Sequence, residues 1–275
     1  MGKLLLMLDH FYITTLNRID NQRTWESLPL SWRGRTSLVV QSHEAHKYLD
    51  KYNLIVLPDH IRSLSPTKEW IAKQAIGTRF AIFDDDLNFT RTRGEDEEGP
   101  SNIPMIDEEF EYLDETICSW MDEGYSHCGL DAVWNPPTRN AASKQNSRIC
   151  MNVFYDGAKI PVNDISWSRL VCSQDFDVTL QLLRMGFQNK VSLEFRVGQV
   201  STQAPGGCAE YRTIDLHNEC MRELAILHKP FVELREKTET GSGEWKDKTK
   251  LAATISWKKA YQSSQINTLE GFMNE

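Results

Sequence analysis

The chain has 275 residues, enough for one large α/β domain or two small ones, and its 40% hydrophobic and 25% charged residues are ordinary for a globular protein. No run approaches the ~20 apolar residues of a membrane-spanning helix, and Leu4–Leu8 falls short of the roughly 7–15-residue core of a secretory signal, so a cytoplasmic protein with no membrane partner is expected. The formal net charge of −8 argues against a nucleic-acid partner, but ten acids and no Lys or Arg lie between Gly94 and Ile117, and the remainder carries about +2, which leaves room for a basic face elsewhere.

In chain order, Phe11–Leu16 reads as a first strand running into the polar loop Asn17–Thr24. Loops in that position commonly meet nucleotide; Arg18 suits a phosphate, and Gln22 or Thr24 a base or ribose, with a solvated loop as the alternative. Ser37–Gln41 is a second strand, Glu44–Lys51 a helix and Leu54–Leu57 a third strand stopped by Pro58. Ser65-Pro66 reads as the N-cap and first position of a helix with Trp70, Ile71 and Ala75 on its apolar side. Phe80–Phe83 is a fourth, buried strand. Gly94–Pro104 is polar and acidic and reads as a loop, either a lid or a solvated insertion. Asp107–Met121 is helical by spacing, Trp134–Arg148 a long loop, and Ile149–Tyr155 a strand. Ser173–Asp177 opens a helix that Gly186 ends, and Val191–Val197 is a further strand. Pro205-Gly206-Gly207-Cys208 is a tight turn, Asp215–Leu227 a helix, Thr238–Gly243 a flexible stretch and Leu251–Trp257 a last strand. Strand and helix alternate through the first ninety or so residues, which argues a mostly parallel sheet flanked by helices. The six cysteines form no CxxC pair and read as reduced thiols.

Three consecutive aspartates, Asp84, Asp85 and Asp86, follow the fourth strand directly. Carboxylates packed together repel, and a hard divalent cation shared with substrate phosphates removes that cost. A metal-bound diphosphate is therefore the chemistry expected there, with a solvated acidic turn as the alternative. Hydrophobic residues followed by Asp-x-Asp occur in GT-A-type nucleotide-sugar glycosyltransferases and, as Asp-x-Asp-x-Thr, in haloacid-dehalogenase-like phosphatases. Here Asn88 stands where the second pattern has Thr, and three candidate strands precede the motif, which favours the first. Asp175 with Asp177, at a helix start, offers a carboxylate to deprotonate an acceptor hydroxyl, or merely caps the helix. Gly206-Gly207, just before Tyr211 and Arg212, permits close backbone approach to a ligand or simply makes a hairpin turn. His217 is a surface or capping residue, or a third metal ligand.

An ordered series of segments resembles the phage TET-associated glycosyltransferases, a GT-A-type family implicated in adding sugars to hydroxymethylated pyrimidines in DNA. The series is ITTLNRIDNQRT (13–24), LPDHIRSLSPTKEWI (57–71), FAIFDDDLNFTR (80–91), QDFDVTLQLLRMG (174–186) and GGCAEYR (206–212), with TISWKKAY (254–261) a possible addition. The resemblance implies a GT-A-like (Rossmann-like) mixed, mostly parallel sheet in one domain over 1–262, with an acidic loop near 94–104 and a tail over 263–275. It implies Mn2+ or Mg2+ held by Asp86 and Asp84. Arg18, Thr24, Lys68, Asp84 and Asp85, with Gly206 and Gly207, would lie near a nucleotide sugar, most simply a UDP-sugar. Asp175 would be the acceptor-side base; Gln174 stands where that motif often has Glu, so Asp175 and Asp177 both remain candidates. The implied activity is hexosyl or N-acetylhexosaminyl transfer to 5-hydroxymethylcytosine in DNA, in the host cytoplasm if the protein is phage-encoded. The competing readings are a magnesium-dependent phosphohydrolase using Asp84 and Asp86, and a catalytically silent binding module.

Overall fold

The computed structural model describes residues 7–137, 140–199, 206–240 and 245–273. Strand β1 (His10–Thr14) leads through two short helices, α1 (Arg23–Ser27) and α2 (Leu30–Arg33), to β2 (Thr36–Val40). β3 (Leu54–Val56) feeds α3 (Leu64–Gln74), which returns the chain to β4 (Arg79–Asp84). The turn Asp85-Asp86 opens β5 (Leu87–Thr92), and β6 (Asn102–Pro104) precedes α4 (Asp107–Asp122). β7 (His127–Ala132), β8 (Ser143–Gln145) and β9 (Asn152–Asp156) follow, then α5 (Gln174–Arg184) and the long β10 (Asn189–Gln199). Helix α6 (Ile214–Leu227), the hairpin β11 (Val232–Thr238) and β12 (Thr249–Ile255), and α7 (Trp257–Met273) complete the chain.

Among the described residues ten strands form one sheet in the order β3-β2-β1-β4-β9-β7-β10-β5-β6, with β8 also paired to β10. β1, β2, β3, β4, β6, β7 and β10 run one way, and β5, β8 and β9 the other. The sheet is thus mixed with most strands co-directional, as expected. Its two faces are legible on β4, where successive side chains point to opposite sides. Ala81 and Phe83 join Phe11, Trp32, Phe89 and the Phe110–Met121 stripe of α4 in one core. Phe80 and Ile82 join Ile71 and Ala72 of α3, Ala75 just past its end, and Val178 and Leu182 of α5 in the other. A third cluster sets Leu180 and Leu183 of α5 against Met221 and Leu224 of α6, Val232 of the hairpin and Ala260 of α7.

This topology creates the cleft. From β1 the chain moves outward to β2 and β3, then crosses back through α3 to β4 on the other side of β1. Connections leave the carboxyl ends of β1 and β4 in opposite directions, which opens a crevice where α/β sheets bind ligands. Thr14 and Asp84 are register partners at that edge, so the three aspartates emerge at the crevice floor.

Several local expectations are corrected. Glu44–Lys51 holds only a 3-10 turn, Ala45–Lys47. Helix α3 begins at Leu64 rather than at Pro66, and the Ser65 hydroxyl donates to Leu170 O instead of capping. Gly94–Ser101 is loop, as expected, but Asn102–Pro104 at its end is a strand that pairs back onto β5, whose Leu87 and Phe89 are buried and pair with β10. Arg91 holds the intervening acidic turn through Glu97, at 2.5 Å. α7 runs continuously from Trp257 across positions 262 and 263. Pro205 and Gly241–Gly243 lie outside the described residues.

Candidate active site

A cleft of about 540 Å³ opens over the carboxyl ends of β1 and β4. Thr15, Arg18, Lys68, Asp84, Asp85, Asp86 and Asp175 all line it, so segments far apart in sequence meet at one place. Arg18 is its electrostatic centre. One guanidinium nitrogen lies 2.5 Å from Asp85 and 2.9 Å from Asp86, and another donates to Gly206 O at 3.3 Å. Asp85 also accepts from the Thr15 hydroxyl at 2.6 Å, and Asp86 accepts from the Gln199 amide at 3.1 Å. Lys68 reaches Asp84 at 3.4 Å.

Burial sets the proton affinities. It pushes the Asp85 carboxyl up to about 7, against the pull of Arg18 and Thr15. Asp86 is raised by burial and then by the nearby Asp84 charge, with Arg18 opposing. Asp175 is raised chiefly by burial, while Lys68 and Arg148 favour its charged form. Burial works against the Lys68 charge, yet Asp84 and Asp175 outweigh it and hold the ammonium above its ordinary value. The buried carboxylates thus outnumber Arg18 and Lys68, the two cations that face them most closely. Such a site gains when a further cation binds.

Among the described residues no group of three or more His, Cys, Asp or Glu is arranged to hold a metal. His217 in particular turns its Nε2 toward Leu251 O, at 2.9 Å, and packs on Trp245. Asp84 and Asp86 remain as a two-carboxylate set. That set suits magnesium or manganese, which complete their shells with diphosphate oxygens and water. Asp84 keeps about a quarter of its side chain exposed, whereas Asp86 is 1% exposed and shares its oxygens with Arg18 and Gln199.

Two expected ligand residues are located elsewhere. Thr24 is fully buried and does not line the cleft. Its hydroxyl donates to Asp84 O at 2.5 Å and accepts from Leu87 N–H at 2.9 Å, and its own N–H donates to Asp85 O at 3.1 Å. It staples the aspartate turn from behind. Asp177, two residues on from Asp175, points into the interior. Both its oxygens accept from Arg169, at 2.6 and 2.8 Å, and Oδ1 also bonds His228 Nε2 at 2.6 Å. Asp175 is therefore the member of the pair that faces the cleft. Gly207 lines the cleft, and Gly206 lies behind it with φ +85°. A Cβ on Gly206 would fall 2.5 Å from Arg18 Cγ, so the turn works by seating Arg18.

Sequence reasoning missed Thr15, Gln199, Arg148 and Trp134, which also line the cleft. Trp134 is half exposed on a turn held by the buried Arg196, whose guanidinium donates to Ala132 O at 2.7 Å and to Asn135 O. An arginine set between Phe195 and Val197 in a buried stretch of strand was the signal for that anchor.

Residues 10–207 match the family described as TET-Associated Glycosyltransferase. The chain is similar to the Beta-glucosyl-HMC-alpha-glucosyl-transferase of Enterobacteria phage T2, 24% identical over 68% of this chain and 70% of that protein. The protein of the same name from phage T6 is 22% identical over 78% of this chain and 79% of its own length. Among solved structures, S. aureus TarS 1-349 with UDP-GlcNAc is 13% identical with a TM-score of 0.45, covering 79% of this chain and 65% of that one. The UDP complex is 14% identical with a TM-score of 0.47, covering 79% and 64%. This chain thus spans just under two thirds of either TarS chain.

Proposed function

The chain belongs to the TET-associated glycosyltransferase family, and from that premise we propose that it moves a sugar from a UDP-sugar to a hydroxymethylated pyrimidine, 5-hydroxymethylcytosine, in DNA. The observation that carries this reading is the single cleft in which Asp84, Asp86, Arg18, Lys68 and Asp175 meet. Asp84 and Asp86 would hold a magnesium or manganese ion, which supplies charge neutralisation for the departing nucleoside diphosphate. Arg18 keeps Asp86 in place, and Lys68 adds positive charge beside Asp84 where the phosphates would lie. Asp175 takes the proton of the acceptor hydroxyl if the reaction inverts. The hydroxyl oxygen then bonds to the anomeric carbon as the bond to the diphosphate breaks. Burial raises the proton affinity of Asp175, which suits a base working near neutral pH. A duplex base would be extruded or presented on a single strand to reach this cleft.

A second acceptor, a sugar already attached to the base, is favoured by the name of the T2 and T6 relatives, Beta-glucosyl-HMC-alpha-glucosyl-transferase. It uses the same donor machinery. No described helix is long and apolar enough to cross a membrane, which is compatible with work on DNA in a host cytoplasm.

The donor side is tested by titrating a UDP-sugar with and without manganese into the protein and into Asp86→Ala. Cation-dependent binding is expected in the first and absent in the second, with the thermal unfolding transition retained. An unchanged affinity in Asp86→Ala contradicts the metal assignment. Release of inorganic phosphate from a phosphomonoester, with no consumption of nucleotide sugar, would favour the phosphohydrolase instead.

A further inference from the structure

The net charge of −8 conceals a strong segregation. The cleft is lined by seven Lys and Arg and only four acids, and those acids are the catalytic-floor aspartates Asp84, Asp85, Asp86 and Asp175. Two of the cations, Arg18 and Lys68, face these aspartates directly. Of the other five, Arg148, Arg235, Lys237 and Lys250 have no acid of the floor within ion-pair distance among the described contacts, and Arg212 lies over the Trp245 ring.

Three of them come from the hairpin, which lies beyond the residues matched to the family. Its pairing register explains why they share a face. Arg235 is opposite Ala252 and Lys237 is opposite Lys250, so these side chains project to the same side. The alternate residues Val232, Leu234, Leu251, Ala253 and Ile255 pack on α6 and α7 in the third core cluster. One face of the hairpin is therefore anchored, with Leu251, Ala253 and Ile255 also bordering the cleft, and the other carries Arg235, Lys237 and Lys250 together with Glu233. Arg235 is exposed and has no ion-pair partner among the described residues. Glu239 offsets part of the charge, at 2.7 Å from Lys250 and 3.6 Å from Lys237. Glu233 and Glu236 of the same hairpin do not line the cleft. The cleft also displays the half-exposed Trp134 on the turn that Arg196 braces. Cations that follow a groove beside an exposed aromatic ring are the combination that holds a single-stranded or splayed nucleic-acid backbone and its unstacked bases.

We propose that the Arg235–Lys237–Lys250 face of the β11–β12 hairpin is the surface that grips the phosphate backbone of the acceptor strand and leads the target base into the cleft. This rests on the reading that the acceptor is DNA, and it assigns the contact to a part of the chain outside the matched family segment.

The test measures binding of a labelled single strand containing hydroxymethylcytosine, over a range of salt concentrations, by the full chain and by Arg235→Ala/Lys237→Ala. The double variant is expected to bind roughly tenfold more weakly at low salt, with a log–log salt slope shallower by roughly 0.7 per lost phosphate contact. The charge-preserving pair Arg235→Lys/Lys237→Arg is expected to keep the original slope, and thermal unfolding monitors the fold of each variant. An unchanged slope in the alanine pair overturns the proposal. So does a rise in the KM for the nucleotide sugar with unchanged DNA affinity, which would give these cations to the donor diphosphate. If the unaltered protein consumes donor but neither binds nor modifies DNA, the acceptor reading itself fails and the hairpin proposal falls with it. The first two failures appear only in the variant and the third in the parent, so they are distinguishable.

Discussion

Asp175 and Asp177 are two positions apart on one helix, yet they meet opposite surroundings. Asp175 lines the cleft beside Lys68 and Arg148, whereas Asp177 is sealed between Arg169 and His228. Their substitutions should separate cleanly. Asp175→Asn is expected to lower kcat by about 10²–10⁴-fold with stability kept. Asp177→Ala is expected to cost about 3 kcal/mol of stability, because it strands a buried histidine and an arginine, while leaving kcat per folded molecule intact. Steady-state kinetics beside denaturant unfolding reads both, and the reverse pattern would exchange the roles. The acid limb of the parent's pH profile carries the same information. The Asp175 carboxyl is raised from 3.8, so its basic form is lost as pH falls through that raised value, and the limb should lie above an ordinary carboxylate's. For stability the sign is opposite: a raised buried acid favours folding below 3.8, and that contribution fades as pH rises through the folded value. Asp85 and Asp86, both also raised by burial, titrate alongside it, so the limb reports the group. Spacing alone could not choose between the two acids. A helix start presents i and i+2 in different directions, and which direction is the cleft depends on a sheet assembled from distant strands.

At the scale of elements, the site depends on a turn held from behind. The short helix α1 places Thr24 under Asp85-Asp86, where three hydrogen bonds fix the exit from β4 into β5. Thr24→Val keeps the shape but leaves Leu87 N–H without its acceptor. The expected cost is about 1–3 kcal/mol, read as a lower denaturant midpoint, together with a weaker donor affinity as the aspartates loosen. Wild-type stability would mean the staple is idle. The apolar strands β1, β2 and β4 were legible because short hydrophobic runs bounded by polar residues are buried strands. β7 was not: its six buried residues, HCGLDA, include a histidine, a glycine and an aspartate, which only a central position in the sheet accommodates. β5 does alternate, with Leu87 and Phe89 inside, but it follows the aspartates so closely that the motif masked it. Thr24 was legible as part of a site loop, yet its direction was not, because its partners are about sixty positions away.

For the whole molecule, the mixed, mostly co-directional sheet turns an acidic chain into a cleft lined by more cations than acids. The acids between Gly94 and Ile117 are carried largely by α4 and the turn before β6, while the carboxyl ends of β1 and β4 and the hairpin gather the cations. The overall charge is therefore a poor guide to the charge of the cleft, whereas the alternation of strand and helix points to the crevice at the carboxyl ends of β1 and β4. The central claim is transfer of a sugar onto hydroxymethylated DNA. Its most direct test is to incubate the protein with manganese, a panel of UDP- and GDP-sugars, and DNA carrying cytosine, 5-hydroxymethylcytosine or its glucosylated form, and then to weigh the digested nucleosides. The expected result is the mass gain of one sugar residue on the hydroxymethylated base, free or already glucosylated, and none on cytosine. A nucleotide sugar consumed with every nucleoside unchanged in mass would contradict it.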